Sequence, residues 1–237
     1  MTTALVTGAT GGIGREIARQ LLAAGVEVLV GARDPERGRR TVAELGCGAR
    51  AIALDVTDAA AIAAAAAQVQ TLDVLVNNAG VSLDEAPITD TDPDVFRRTY
   101  ETNVFGVVAV TNALLPALRR SARPRIVNVS SGTGSLAWST GPNPQFPFQA
   151  RAGLAAYRSS KTALNALTVF YSQELAGDGF KVNALAPGLR ATNLSPLAAR
   201  AGGDPAEGAA GAVRLALLPD DGPTGRCFSW DGSAVPW

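Results

Sequence analysis

Tyr157 and Lys161 are the residues whose types and spacing best suit moving a proton. They stand four positions apart in a run, Ala156–Phe170, that reads as helix, and at i and i+4 two side chains share one helical face. A free phenol titrates near ~10 and a free lysine near ~10.4. An ammonium held beside a phenol favours the phenolate and lowers its pKa, so the pair is expected to act as a general acid or base near neutral pH. The same spacing is common on ordinary surface helices, and the pair gains meaning only from the rest of the chain.

The composition narrows the chemistry. There is no histidine among the 237 residues, which excludes histidine-based triads and histidine-ligated metals. Cys47 and Cys227 stand far apart, offering neither a zinc cluster nor a disulfide framework; no metal is expected. Lys plus Arg and Asp plus Glu both number 21, so nothing in the charge points to nucleic acid or an anionic membrane as partner. A first strand beginning almost at Met1 leaves no room for a signal peptide, and no apolar run reads as long enough to span a bilayer. A cytoplasmic protein is the expectation.

The elements that must position the pair alternate along the chain. Ala4–Val6 reads as a strand, followed by a glycine-rich turn with Gly8, Thr10, Gly12, Ile13 and Gly14, and then by a helix from Arg15. Glycines let a backbone approach a pyrophosphate closely, and the helix start offers N–H groups to it. Val26–Val30 reads as a second strand, running into Arg33 and Arg37. Two guanidinium groups suit the 2′-phosphate of NADP(H) better than the 2′-hydroxyl of NAD(H); the simpler alternative pairs them with Asp34 or Glu36. Ala51–Leu54 is a strand ending at Asp55 and Val56. Leu72–Val76 is another, ending at Asn77, Asn78, Ala79 and Gly80. Asp92 and Pro93 open a long helix toward Leu118 with Asn103 inside it. Arg125–Val129 is a strand ending at Ser130 and Ser131. A loop or small lobe, Thr133–Gly153, carries Trp138, Phe146 and Phe148, which either bind substrate or pack the lobe down. After the Tyr157 helix come a strand, Phe180–Leu185, the turn Pro187, Gly188 and Thr192, a helix over Pro205–Leu218 and a last short strand at Gly225–Ser229. About seven strands alternating with helices imply one domain, residues 1–237, built on a doubly wound parallel sheet (Rossmann-type) with helices on both faces. Ligands of such sheets bind beyond the carboxyl ends of the strands, where Asp55, Asn78 and Ser131 all fall.

These motifs, in this order, resemble the short-chain dehydrogenase/reductase family over nearly the whole length, and most of all its NADPH-dependent carbonyl reductases. The resemblance implies that Tyr157 gives a proton to a substrate carbonyl while NADPH supplies hydride, that Lys161 lowers the Tyr157 pKa and holds the nicotinamide ribose, that Ser131 polarises the carbonyl, and that Asn103 holds a water in a relay reaching Lys161. It further implies cofactor contacts from Gly8, Thr10, Gly12, Ile13, Gly14, Arg33, Arg37, Asp55, Val56, Asn78, Ala79, Gly80, Pro187, Gly188 and Thr192. The expected partner is a small ketone, aldehyde, quinone or alcohol. Three departures stand out. The gap between Ser131 and Tyr157 is about twice the usual one and is similar to an insertion of monomeric carbonyl reductases, so a monomer or a homodimer is expected. Gly11 occupies a place where many NADP-preferring members have lysine. The short Thr192–Pro205 segment suggests a substrate pocket open on that side. The alternatives are an NAD-dependent alcohol dehydrogenase of the same family and a catalytically idle, dinucleotide-binding redox sensor.

Overall fold

The computed structural model describes residues 2–84, 86–146 and 153–237. The first strand, β1 (Thr3–Val6), is buried from Ala4 onward, as a strand covered on both faces must be. It leads into α1 (Gly12–Ala23), β2 (Glu27–Ala32), α2 (Pro35–Leu45), β3 (Ala49–Ala53), α3 (Ala59–Ala67) and β4 (Val74–Asn77). Pro35 and Asp34 explain why α2 starts where it does: proline is pre-set for a first helical turn, and the Asp34 carboxylate accepts from the N–H groups of Glu36 (2.9 Å) and Arg37 (3.3 Å).

The expected helix from Pro93 to Leu118 is present as three joined pieces, α4 (Pro93–Tyr100), a π-helical turn (Glu101–Phe105) and α5 (Gly106–Leu118). By length and composition this 26-residue run is apolar enough to cross a bilayer, which differs from the expectation. Half of its most apolar stretch is buried inside the protein, as in a core helix. The order continues through β5 (Arg125–Val129), α6 (Leu136–Thr140), α7 (Ala155–Glu174), β6 (Lys181–Ala186), α8 (Pro196–Ala201), α9 (Pro205–Ala216), β7 (Arg226–Ser229) and β8 (Ala234–Val235).

The strands form one sheet in the order β3-β2-β1-β4-β5-β6-β7-β8. The first seven are parallel, and β8 adds an antiparallel edge that the expected seven strands did not include. One core packs α1 and α9 against Val6, Val28, Val76 and Val127. The other packs α3 and α5 against Leu5, Leu29, Leu75 and Ile126. Each of these fully buried side chains contributes on the order of 1.5–3 kcal/mol. The strand order reverses between β1 and β4, so a crevice opens at the carboxyl ends of these two strands.

Candidate active site

A cavity of about 1210 Å³ lies at that crevice. Its floor is the turn after β1. Gly8 and Gly12 have φ of +62° and +53°, a backbone form that side chains disfavour. A Cβ on Gly14 would lie 2.3 Å from Asn78 Nδ2 and 2.6 Å from the Gly8 carbonyl oxygen, so nothing larger than glycine fits there. The turn is tied to the neighbouring strand end. Thr7 Oγ1 accepts from the N–H groups of Asn78 and Ala79, both at 2.9 Å, and Asn78 Nδ2 donates to the Thr7 (2.9 Å) and Gly8 (3.3 Å) carbonyls. Asn77 ties strands together instead, donating to Asn128 Oδ1 (2.9 Å) and Thr111 Oγ1 (3.1 Å).

Every residue predicted from the sequence to touch a dinucleotide lines this cavity, from Gly8 through Thr192. At one end Arg33 and Arg37 form no ion pair among the described residues. Asp34 is spent on capping α2, and Glu36 pairs with Arg39. Burial pushes the Asp55 carboxyl up, but two hydrogen bonds from Thr57 and the charge of Arg33 together hold it below its ordinary value. The turn after β6 is braced by Arg190, which sequence reasoning missed. Its guanidinium is buried, donates to the Pro187 carbonyl (2.6 Å), pairs with Glu207 and stacks 4.5 Å from the Trp230 ring.

Ser131, Tyr157 and Lys161 line the same cavity. Lys161 Nζ lies 5.7 Å from the centroid of the Tyr157 ring and donates to the Val129 carbonyl at 2.9 Å. Burial pulls the Lys161 ammonium down to about 8. It also pushes the Tyr157 phenol up to about 12, with the Ser131 hydroxyl pulling the other way. The expected lowering of the Tyr157 pKa by Lys161 is therefore corrected: desolvation of the ring outweighs an ammonium that is itself turned to a backbone carbonyl. Of the two serines, Ser130 donates to Asn165 Oδ1 (2.6 Å), whereas the Ser131 hydroxyl meets Thr133, through its Oγ1 (2.9 Å) and its N–H (3.1 Å), and faces the Tyr157 phenol.

Asn103 differs from the other predicted residues in not lining the cavity. It is fully buried in the π-helical turn. Its Nδ2 donates to the Val81 carbonyl (2.9 Å) and Ser160 Oγ (3.0 Å), and its Oδ1 accepts from the Val81 N–H (2.9 Å). A Cβ on Gly80 would be 3.3 Å from that oxygen and 3.5 Å from Lys161 Nζ, so both groups border the same small space.

Phe146, Leu154, Leu189, Leu194 and Leu197 also line the cavity, beside Gln145, Arg158, Asn193 and Ser195. Leu194 and Leu197 come from the short segment after Thr192, which folds into α8 as a wall of the pocket. The described aromatics of the Thr133–Gly153 segment take different places. Trp138 packs on Ala184, Ala186, Cys227 and Val235, and Phe146 lines the cavity; Phe148 lies outside the described residues. The segment holds to α7 through Thr162 Oγ1, which donates to the Gly134 carbonyl at 2.9 Å, and Arg158, which donates to Ser139 Oγ at 3.2 Å.

Residues 2–200 match the family described as short chain dehydrogenase. The chain belongs to the short-chain dehydrogenase/reductase family. Among curated members it is 36% identical over 212 residues to dehydrogenase/reductase SDR family member 7B of Bos taurus, covering 84% of this chain and 61% of that one. The chain thus spans less than two thirds of that relative's length. It is 32% identical to (-)-isopiperitenone reductase of Mentha piperita across 96% of both chains. Among solved structures, the NADPH-bound carbonyl reductase from chicken fatty liver superposes with a TM-score of 0.83 at 28% identity, over 100% of this chain and 99% of that one. The family is one of oxidoreductases, and these relatives include proteins described as reductases.

Proposed function

We propose that this protein is an NADP(H)-dependent reductase of an apolar ketone, aldehyde or quinone, with Tyr157 as general acid. The observation that carries the reading is one cavity holding both the glycine cradle with two unpaired arginines and the set Ser131, Tyr157 and Lys161. The residues fit a dinucleotide: the cradle closes if Gly14 gains a side chain, and the NADPH-bound carbonyl reductase shares the fold at 28% identity. Arg33 and Arg37 would take the 2′-phosphate, the turn Gly8–Gly14 the pyrophosphate, and Lys161 the nicotinamide ribose. When bound, the cofactor supplies hydride to the carbonyl carbon. The side chains supply the rest. Ser131 donates a hydrogen bond to the carbonyl oxygen, polarising it and stabilising the charge that grows there. The protonated phenol of Tyr157 passes its proton to the same oxygen. The small space beside Gly80, bordered by Asn103 and Lys161, offers a route for reprotonation. The apolar side chains of Phe146, Leu154, Leu194 and Leu197 select a substrate with little charge near the carbonyl. The inserted segment on α7 favours a monomer, and widely separated free cysteines suit a cytoplasmic protein.

The test is NADPH oxidation, followed by absorbance, across a panel of ketones, aldehydes and quinones, with Tyr157→Phe alongside. The variant should bind NADPH as the parent does and lose about 100-fold or more of turnover. A Tyr157→Phe protein with parental turnover refutes the general-acid assignment.

A further inference from the structure

α7 carries Tyr157 and begins without a cap of its own. Leu154, the residue before its first turn, has φ of 59° and ψ of 26° and makes no side-chain hydrogen bond to the helix. It is the one non-glycine residue with positive φ among the described residues, a backbone form that costs a leucine on the order of 1 kcal/mol. The free N–H groups of a first helical turn need partners. Here they are met from elsewhere in the chain. Asp84, in the loop after β4, is 3% exposed. Its Oδ2 accepts from the Ala156 N–H at 2.8 Å, and its Oδ1 from the Tyr157 N–H at 3.3 Å. Those are the second and third residues of α7, the positions an N-cap side chain serves. Among the described residues no cation pairs with this carboxylate. The helix dipole and the two N–H groups offset its charge.

The loop that presents Asp84 is anchored three residues earlier. Val81 exchanges two hydrogen bonds with Asn103, Asn103 donates to Ser160 Oγ, and the Ser160 hydroxyl donates to the Tyr157 carbonyl oxygen at 2.7 Å. The main chain of Tyr157 is held on both sides in one closed circuit, its N–H by Asp84 and its C=O by Ser160. We infer that Asp84 is a positioning residue for the reaction, fixing the start of α7 and thereby the place of the Tyr157 phenol relative to Ser131. The inference rests on the reductase reading of the same site. It assigns Asp84 no contact with substrate or cofactor, since Asp84 does not line the cavity.

Asp84→Ala, Asp84→Asn and Asp84→Glu separate placement from mere stabilisation. For Asp84→Ala, assayed well below its Tm, kcat should fall about 10- to 100-fold, the range expected when a reacting group is misplaced, with NADPH Kd unchanged. Amide exchange at Ala156 and Tyr157 should speed up. Asp84→Asn should recover part of kcat, because its one amide oxygen can accept from one of the two N–H groups while its NH2 cannot accept from the other. Asp84→Glu keeps the charge but moves the carboxylate by one methylene, and its kcat should fall; it carries the test if the alanine variant does not fold. Parental kcat in both the alanine and glutamate variants, or unchanged exchange at Ala156 and Tyr157 in the alanine variant, overturns the inference. If the parent protein reduces no carbonyl, the reductase reading fails, and the exchange measurement alone decides whether Asp84 holds Tyr157.

Discussion

Gly14→Ala puts the cofactor cradle under direct stress. The added Cβ would sit 2.3 Å from Asn78 Nδ2 and 2.6 Å from the Gly8 oxygen, closer than carbon approaches such atoms. Either α1 backs away from the turn or Asn78 withdraws from its hydrogen bonds to the Thr7 and Gly8 carbonyls. Overpacking costs about 1–3 kcal/mol, and each lost hydrogen bond about 1 kcal/mol. A combined cost of about 2–4 kcal/mol falls on the backbone that meets the pyrophosphate, so NADPH affinity should drop about 30- to 1,000-fold at 1.4 kcal/mol per decade. Gly11→Ala is the matched control: its φ is −176° and an added Cβ meets nothing within 4 Å. Titration of NADPH fluorescence against both variants is the assay, with circular dichroism to confirm folding. Parental affinity in Gly14→Ala, or an equal loss in Gly11→Ala, would refute the reasoning.

Lys161→Met tests the cost of the buried amine. The folded-state value of about 8 lies below the ordinary 10.5. Between those pH values the unfolded chain holds more of this proton, so stability rises with pH across the window and the full penalty, about 3 kcal/mol, applies below it. Loss of the bond to Val129 costs about 1 kcal/mol in return. Urea unfolding at pH 7 should therefore show Lys161→Met more stable by about 2 kcal/mol, an advantage gone near pH 10.5; a less stable variant at pH 7 contradicts this. Arg33→Ala and Arg37→Ala should each weaken NADPH binding about 10- to 100-fold, the value of charged hydrogen bonds to a phosphate, and leave NADH binding unchanged. Equal binding of NADPH and NADH by the parent protein would overturn the assignment of both arginines.

Much of the fold was legible because its periodic signals are strong. Pro35 stands at the first residue of α2 and Gly46 just past its last, and the order of motifs at strand ends located the cavity. The π-helical turn at Glu101–Phe105 was not legible, since one extra residue per turn leaves the apolar pattern almost unchanged. Asn103 in that turn gave only a weak propensity signal for what is a buried three-bond junction. β8 was missed because two residues carry no alternation to read. The Tyr157 pKa went the wrong way because spacing shows that Lys161 is near but not that its ammonium turns to Val129 or that the ring is desolvated. Asp84 and Arg190 left no local mark: a single acid or base in a loop reads as solvated, and the Asp84 contact with Tyr157 and the Arg190 stacking on Trp230 both span long stretches of sequence.

The most direct measurement follows deuterium from NADPH carrying deuterium at both C4 positions of the nicotinamide into the product of a ketone that the protein turns over, read by mass spectrometry, with Tyr157→Phe as control. A reductase of the proposed kind gives an alcohol one mass unit heavier, with deuterium on the former carbonyl carbon, and the control forms almost none. An alcohol without deuterium, or equal labelled product from the control, would contradict hydride transfer assisted by Tyr157.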